Sequence, residues 1–397
     1  MTESEKLLKE LGELSFLRMW SHSSPIRNDN KKEFCDLLVY TKDTIIIFSI
    51  KDIKLSANGD DIVKEKRWNR KAIEESVKQI YGAERALQSN IEVIGNNKKL
   101  ISIKITENTK VYRIAVAFGS EGKFDYKAGN FGSGFVHVFD EISTLLLFKE
   151  LSTIVDFVTY LDDKEKFYKK CHVILEREID QLAHYLMNGR TFPDKYNSII
   201  FENGIWEEYI GKIEYKAKIE EDKKSYFWDQ LIEHFIFHEF NGSLESNESS
   251  IEESLRLLSY ENRFNRRVLS DSLIEFITNS QDSNKQYCRT SISPSNVVYI
   301  FLILDINSDP IKLRTIRRDI LEKRCVVTRT IYPNSKNIIG IGLNPNIKIL
   351  NGIDLIYFHL ETLNEEFTQY ANEIRELYGF HKNTKFAEKN IKEYPEF

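Results

Sequence analysis

Lys32-Glu33-Phe34-Cys35-Asp36-Leu37-Leu38-Val39-Tyr40, followed by Thr44-Ile45-Ile46-Ile47-Phe48-Ser49-Ile50-Lys51, decides how this chain reads. Both runs are rich in β-branched and aromatic residues, and the polar Thr41-Lys42-Asp43 between them reads as a tight turn. Successive side chains on a strand point to opposite faces, so Ile47, Ser49 and Lys51 share one face while Phe48 and Ile50 take the other. An acid stands at the start of the first strand, and a lysine closes the second. A carboxylate and an ammonium on neighbouring strands suit the holding of a divalent metal and an attacking water beside a phosphate.

Helical patterns flank this pair. Residues 5–20 read as an opening helix with Leu8, Leu11, Leu14, Leu17 and Met19 on its apolar side, ended by Ser23-Ser24-Pro25. After Lys51 comes a glycine-containing loop at 56–61, then a second helix from about Trp68 to Gln88. Further strands are expected at 99–105, 111–118 and 135–139. In the second helix Ile73, Val77, Ile80 and Leu87 form one stripe, and Glu84 falls within it. A carboxylate there is costly unless paired or metal-bound. It is either the partner of a nearby Arg or Lys, or a group directed at a catalytic centre.

Asp36 followed by a hydrophobic strand ending Ser49-Ile50-Lys51 resembles the core of the PD-(D/E)XK nuclease superfamily, closest to its Mrr or nuclease-related type. The resemblance covers the N-terminal part of the chain, and the order helix, strands, helix, strand agrees with it. It implies a mixed sheet flanked by helices, Mg²⁺ or Mn²⁺ as cofactor, and hydrolysis of phosphodiester bonds, most often in DNA. Asp36 matches the metal-binding aspartate and Lys51 the catalytic lysine, while Ser49 stands where the family usually carries Glu or Asp. Restriction enzymes with Ser-x-Lys on this strand take their second acid from the following helix, which points to Glu65, with Glu84 as competitor. Glu13 and Glu33 are upstream candidates for the metal. Gln79 resembles the helix glutamine of some nuclease branches, although the tyrosine expected four residues later is Ala83.

Length and composition set the frame. A chain of 397 residues is expected to hold more than one domain, and 41% hydrophobic with 12% aromatic residues is enough to fill cores. No apolar run reaches membrane-helix length, and no apolar signal core follows the N-terminus. Cys35, Cys171, Cys288 and Cys325 are far apart, which fits a reducing cytoplasm better than a disulfide or zinc framework. Net charge is −5, so any phosphate-binding surface must be local. Three basic runs qualify: 64–71, Arg263 with Arg266 and Arg267, and 314–318. The first follows the candidate site directly and nominates Arg67, Arg70 and Lys71 as nucleic-acid contacts.

Beyond residue 150 the texture is helical, at 153–161, 174–186, 226–240 and 251–267, with an exposed loop expected at 241–250. Strands at 297–306 and 337–343, a helix at 311–323 between them and a last helix at 364–378 complete the chain. The expectation is therefore an α/β nuclease-like domain over 1–149, a helical region over 150–290 and a small α/β region over 291–397. His234 and His238 lack the neighbouring Glu of a helical zinc site, and Gly132-Ser133-Gly134 precedes a strand rather than a helix, so neither carries chemistry. The functional expectation is a metal-dependent endonuclease acting on DNA, with RNA as an alternative substrate and bacterial antiviral defence as a setting. Assembly as a homo-oligomer or with a defence partner subunit belongs to that expectation. The rival is an inactive nuclease fold that binds nucleic acid, suggested by Ser49.

Overall fold

The computed structural model describes residues 2–53, 60–95, 98–101, 103–120, 128–240, 245–280, 286–304, 309–344, 352–382 and 390–395. The chain divides into two compact units, Met1–Lys212 and Ile213–Phe397. Residues 150–212, read above with the helical middle, therefore fall in the first unit.

The first unit opens with α1 (Glu3–Phe16), whose cap Thr2 and Glu5 bond reciprocally to each other's backbone amides. The helix ends four residues before the expected Trp20, because Leu17 turns to φ 66. Short strands β1 (Ser21–Ser23) and β2 (Ile26–Arg27) precede β3 (Leu37–Tyr40) and β4 (Thr44–Asp52). Of the loop expected at 56–61, residues 56–59 lie outside the described residues, and Asp60 caps α2 (Asp61–Trp68) by accepting from the Ile62 amide. That helix continues through a wide π turn (Asn69–Glu74) into α3 (Glu75–Gln88). Next come β5 (Val93–Ile94), β6 (Leu100–Ile101), β7 (Lys110–Phe118), β8 (Gly129–Asn130) and β9 (Phe135–Asp140). The strand expected over 99–105 thus shrinks to two residues. α4 (Glu141–Glu150), α5 (Ile154–Lys170), β10 (His172–Leu175), α6 (Glu178–Met187), β11 (Ser198–Phe201) and α7 (Ile205–Gly211) complete the unit.

Its main sheet is mixed, in the order β1-β3-β4-β7-β9-β8. β1, β3 and β4 pair antiparallel, and β4, β7 and β9 run parallel. Parallel neighbours require a crossover, and the α2–α3 segment supplies it between β4 and β7. Alternation on β4 then sorts the core. Ile45 and Ile47 pack with Ile73, Val77 and Ile80 beneath the crossover helix. Phe48 points the other way, into a ring cluster with Phe16 and Phe148 that Phe157 of α5 completes.

The second unit begins with α8 (Ile213–Asp222), α9 (Tyr226–Phe235), a π turn at Ile236–Phe240, α10 (Glu245–Ser259) and α11 (Arg263–Thr278). α10 corrects the expected loop at 241–250: its helical pattern starts within that polar stretch, and residues 241–244 lie outside the described residues. A four-stranded sheet follows in the order β12 (Gln286–Ile292), β13 (Val297–Leu304), β14 (Asn337–Leu343) and β15 (Asp354–His359). β13 and β14 are parallel and joined by α12 (Pro310–Ile331), and α13 (Glu365–Tyr378) follows. The expected fold class, a mixed sheet flanked by helices followed by helical and small α/β parts, is the one observed. Among the described residues no helix is long and apolar enough to cross a membrane.

Candidate active site

Asp36 and Lys51 converge where β3 begins and β4 ends. The Asp36 amide donates to the Phe48 carbonyl at 3.2 Å, which extends the β3–β4 ladder by one residue. The Asp36 carboxylate in turn accepts from the Ile50 amide at 2.5 Å, and the Lys51 Nζ lies 3.9 Å from the same oxygen. Asp36 is buried, with its side chain 6% exposed, whereas Lys51 is 29% exposed and so faces a solvent-accessible edge.

Burial pushes the Asp36 carboxyl above its ordinary value. The Ile50 amide and the Lys51 ammonium pull it back, and the charges of Glu33 and Glu5 push it further up. Glu5 of α1 therefore belongs to the neighbourhood of Asp36. No local sequence signal marks it, because the same residue is fully explained as the acid of a helix-capping box. Ser4 beside it donates to Asp52 at 2.9 Å, so the first turn of α1 is tied to the end of β4.

Gln79 completes the arrangement from the crossover helix. On β4 the face that packs under α3 is apolar at Ile45 and Ile47 and becomes polar at Ser49 and Lys51. At that level Gln79 Oε1 accepts from Ser49 Oγ at 2.9 Å and from Lys51 Nζ at 2.9 Å. The amide thus fixes the lysine beside Asp36. Opposite Ser49 and Lys51 on β7 are Ala115 and Ala117, small residues that leave room for these polar side chains.

The other nominated acids take different places. Glu84, 11% exposed at its side chain, forms a fork with Arg113 of β7, at 2.6 Å from Nε and 2.5 Å from Nη2. It is the buried partner of an arginine. Gly134 supports that pair, since a Cβ there would come 2.9 Å from the Arg113 guanidinium, and its φ of +119° favours glycine. Its carbonyl also accepts from Tyr81 Oη at 2.7 Å, so the Gly132–Gly134 run has a packing role. Glu65 accepts from Asn69, one turn along its own helix, at 3.4 Å. Glu13 lies between Lys9 at 3.8 Å and Arg18 at 3.3 Å, and Glu33 is exposed at a bridge to Ile26. Arg67 and Arg70 are exposed and Lys71 half-buried along α2 and the π turn.

Of the other basic runs, Arg263, Arg266 and Arg267 are buried rather than solvent-facing. Arg263 and Arg266 pair with Asp229 at 2.5 and 2.7 Å, and Arg267 pairs with Asp222 at 3.0 Å. This cluster is internal scaffolding, which corrects its nomination as a phosphate surface. The His234 and His238 rings meet at a tilt of 40°, with centroids 4.5 Å apart.

Among the described residues no three His, Cys, Asp or Glu side chains form a ready-made metal cage. Asp36 itself offers a hard carboxylate oxygen, and the charges of Glu33 and Glu5 act on it. That oxygen fits Mg²⁺ or Mn²⁺, since Mg²⁺ commonly binds through one or two carboxylates and keeps water and substrate oxygens as its remaining ligands. Comparison of the chain with protein-family models, curated proteins and solved structures finds no match.

Proposed function

We propose that the first unit is a divalent-metal-dependent nuclease that hydrolyses phosphodiester bonds, with DNA as substrate. One observation carries this reading: Lys51 is held by Gln79 beside a buried Asp36 whose carboxylate is oriented by the Ile50 amide. An ammonium fixed from a neighbouring helix next to a desolvated carboxylate is arranged for work on an anionic substrate.

Asp36 would be the principal metal ligand, with Glu5 or Glu33 as the nearest further acids. When bound there, the cation supplies Lewis-acid polarisation of the phosphoryl oxygen and a water of lowered pKa. Lys51 orients the nucleophile and stabilises charge developing on the phosphoryl oxygens. Gln79 positions Lys51, and Ser49 helps fix Gln79 by donating to the same oxygen. Arg67, Arg70 and Lys71 offer phosphate contacts on the crossover segment that carries Gln79. Residence in the cytoplasm, a defence role and assembly with further copies or a partner subunit remain part of this proposal.

Incubating the purified chain with supercoiled plasmid or single-stranded RNA, with Mg²⁺, Mn²⁺ or EDTA, tests it. The expected result is metal-dependent nicking of the plasmid that disappears in Asp36→Ala and Lys51→Ala. Cleavage by both variants at the wild-type rate sinks the assignment. A second reading rests on Ser49, which replaces the expected strand carboxylate with a hydroxyl bound to Gln79. In that case the unit binds nucleic acid without cutting it, and plasmid is retained in a gel shift but never nicked.

A further inference from the structure

Parallel strands are normally covered on both faces, and the small sheet of the first unit departs from that rule. β10 and β11 run parallel, with His172 opposite Ser198 and Ile174 opposite Ile200. Val173, Leu175 and Ile199 pack inward onto Phe167, Cys171 and Phe201. The other face is open: Ile174 and Ile200 lie side by side, 48% and 64% exposed.

The outer edge of β10 is open as well. The His172 amide donates to the Asn197 carbonyl beside β11 at 2.8 Å. Peptide groups alternate in direction along a strand, so Val173 and Leu175 turn theirs away from β11. Among the described residues no strand pairs with that edge, and a groove of about 650 Å³ is lined by the strand from His172 to Glu176. Neither lysine nor proline, which commonly protect an exposed edge, occurs in β10.

Charge is unevenly spread along this edge. Lys169, Lys170 and His172 are exposed at its start, and Glu176 and Glu202 at its end. The two acids directly follow the paired Leu175 and Phe201, so like charges stand side by side, an unfavourable arrangement in an isolated sheet. Asn203 donates to Glu176. A strand that is basic at one end and acidic at the other is complementary to its own reverse.

We propose that β10 pairs antiparallel with β10 of a second copy of this chain, about a two-fold axis at Ile174, giving a continuous sheet β11-β10-β10-β11. A two-fold dimer uses the same patch on both copies. The register centred on Ile174 employs both outward-turned residues: Val173 faces the partner's Leu175, and such pairs exchange both of their N–H···O bonds. It also sets Ile174 against the partner's Ile174 and His172 opposite the partner's Glu176, which matches base to acid on the open face. The edge of β11 lacks this match, because in the equivalent register centred on Ile199 Glu202 meets the partner's Tyr196. The inference concerns association and does not rest on the nuclease reading.

Sedimentation equilibrium of the full chain across the micromolar range tests it, and a reversible monomer–dimer equilibrium is expected. Glu176→Lys and His172→Glu, both at exposed positions, should each weaken dimerisation by about tenfold or more, since each spoils the match at two places in the dimer. The double variant His172→Glu/Glu176→Lys should regain the wild-type affinity. The register is read by cross-linking. Facing Ile174 residues would have Cα atoms about 4.5–5.5 Å apart, within the span of a disulfide, whereas the two Ile200 residues would be three strand spacings apart, about 14 Å. Ile174→Cys should therefore form a covalent dimer with oxidised glutathione, and Ile200→Cys should stay at the wild-type background. A chain that remains monomeric throughout overturns the proposal, whatever other protein the edge then serves. Equal cross-linking of the two cysteine variants overturns it too, as does a double charge variant no better than either single one. Plasmid nicking plays no part in these readouts, so failure of either proposal is visible separately.

Discussion

Replacing Glu84 by Gln separates two roles that one carboxylate in an apolar stripe can play. The carboxylate is forked onto Arg113 at 2.6 and 2.5 Å, and the two side chains are only 11% and 14% exposed. Removing one member of a buried pair leaves the other charge uncompensated, at a cost of roughly 3–5 kcal/mol. Glutamine keeps one acceptor oxygen for the guanidinium, so the loss should fall near the lower end, about 3 kcal/mol. For a unit of this size that corresponds to a melting point lower by about 6–12 °C. The double variant Glu84→Leu/Arg113→Met removes both charges and should recover most of the loss, because a well-packed apolar pair can match a buried ion pair. Thermal unfolding of the three proteins, with plasmid nicking measured well below the melting range, provides the comparison. Nicking by Glu84→Gln should remain close to wild type. A wild-type melting point combined with abolished nicking would falsify the ion-pair assignment and return Glu84 to the catalytic centre.

Asp36→Asn should abolish metal-dependent nicking yet raise the melting point at neutral pH. Burial raises this carboxyl, so its ionisation opposes folding, and that penalty is absent at low pH and complete above the raised value. A lower melting point for the Asn variant at pH 7 would contradict the burial argument. His22 acts in the opposite sense, since burial pushes it down to about 4 and the unfolded chain takes up the proton first. Stability should therefore fall as pH drops from about 6.5 towards 4, by at most about 3 kcal/mol, and His22→Gln should flatten that slope in acid unfolding curves. Arg67→Ala/Arg70→Ala should weaken DNA binding and its salt dependence, because both arginines are exposed on the crossover segment. Unchanged affinity at low salt removes that surface from the proposal.

The strands of the main sheet were legible because β-branched runs leave little choice: β3, β4, β7 and β9 lie where Leu37–Tyr40, Ile45–Ile50, Val111–Phe118 and Phe135–Phe139 suggest. Glu84 was legible as an anomaly, but its partner was not. Arg113 sits in an alternating strand far along the chain, and only the β4–β7 crossover brings the two together. The place of residues 150–212 was hidden for a related reason. Their helical texture looks like a new region, whereas Phe157 closes an aromatic cluster whose other members, Phe16, Phe48 and Phe148, come from distant segments. Tertiary burial of that kind leaves no local mark. The neighbourhood of Asp36 was half legible, since Asp36, Ser49, Lys51 and Gln79 could be named while Glu5 was disguised by its capping geometry.

The π turn at Asn69–Glu74 lets the crossover segment carry one residue more than an unbroken α-helix with the same ends. Each residue of an α-helix advances the direction of its side chains by about 100°. A π turn closes its bonds one residue later than an α turn, so a single deletion there could restore ordinary α-helix without breaking the rod. The six residues of the π turn rotate the chain about as far as five residues of α-helix, so such a deletion would leave Arg67 and its neighbours on α2 close to their present bearing relative to Gln79, which is anchored by Ser49 and Lys51. The turn therefore takes up one residue of chain length locally, and descendants of this sequence could lose that residue while the basic groups keep their place around the lysine and every strand stays where it is.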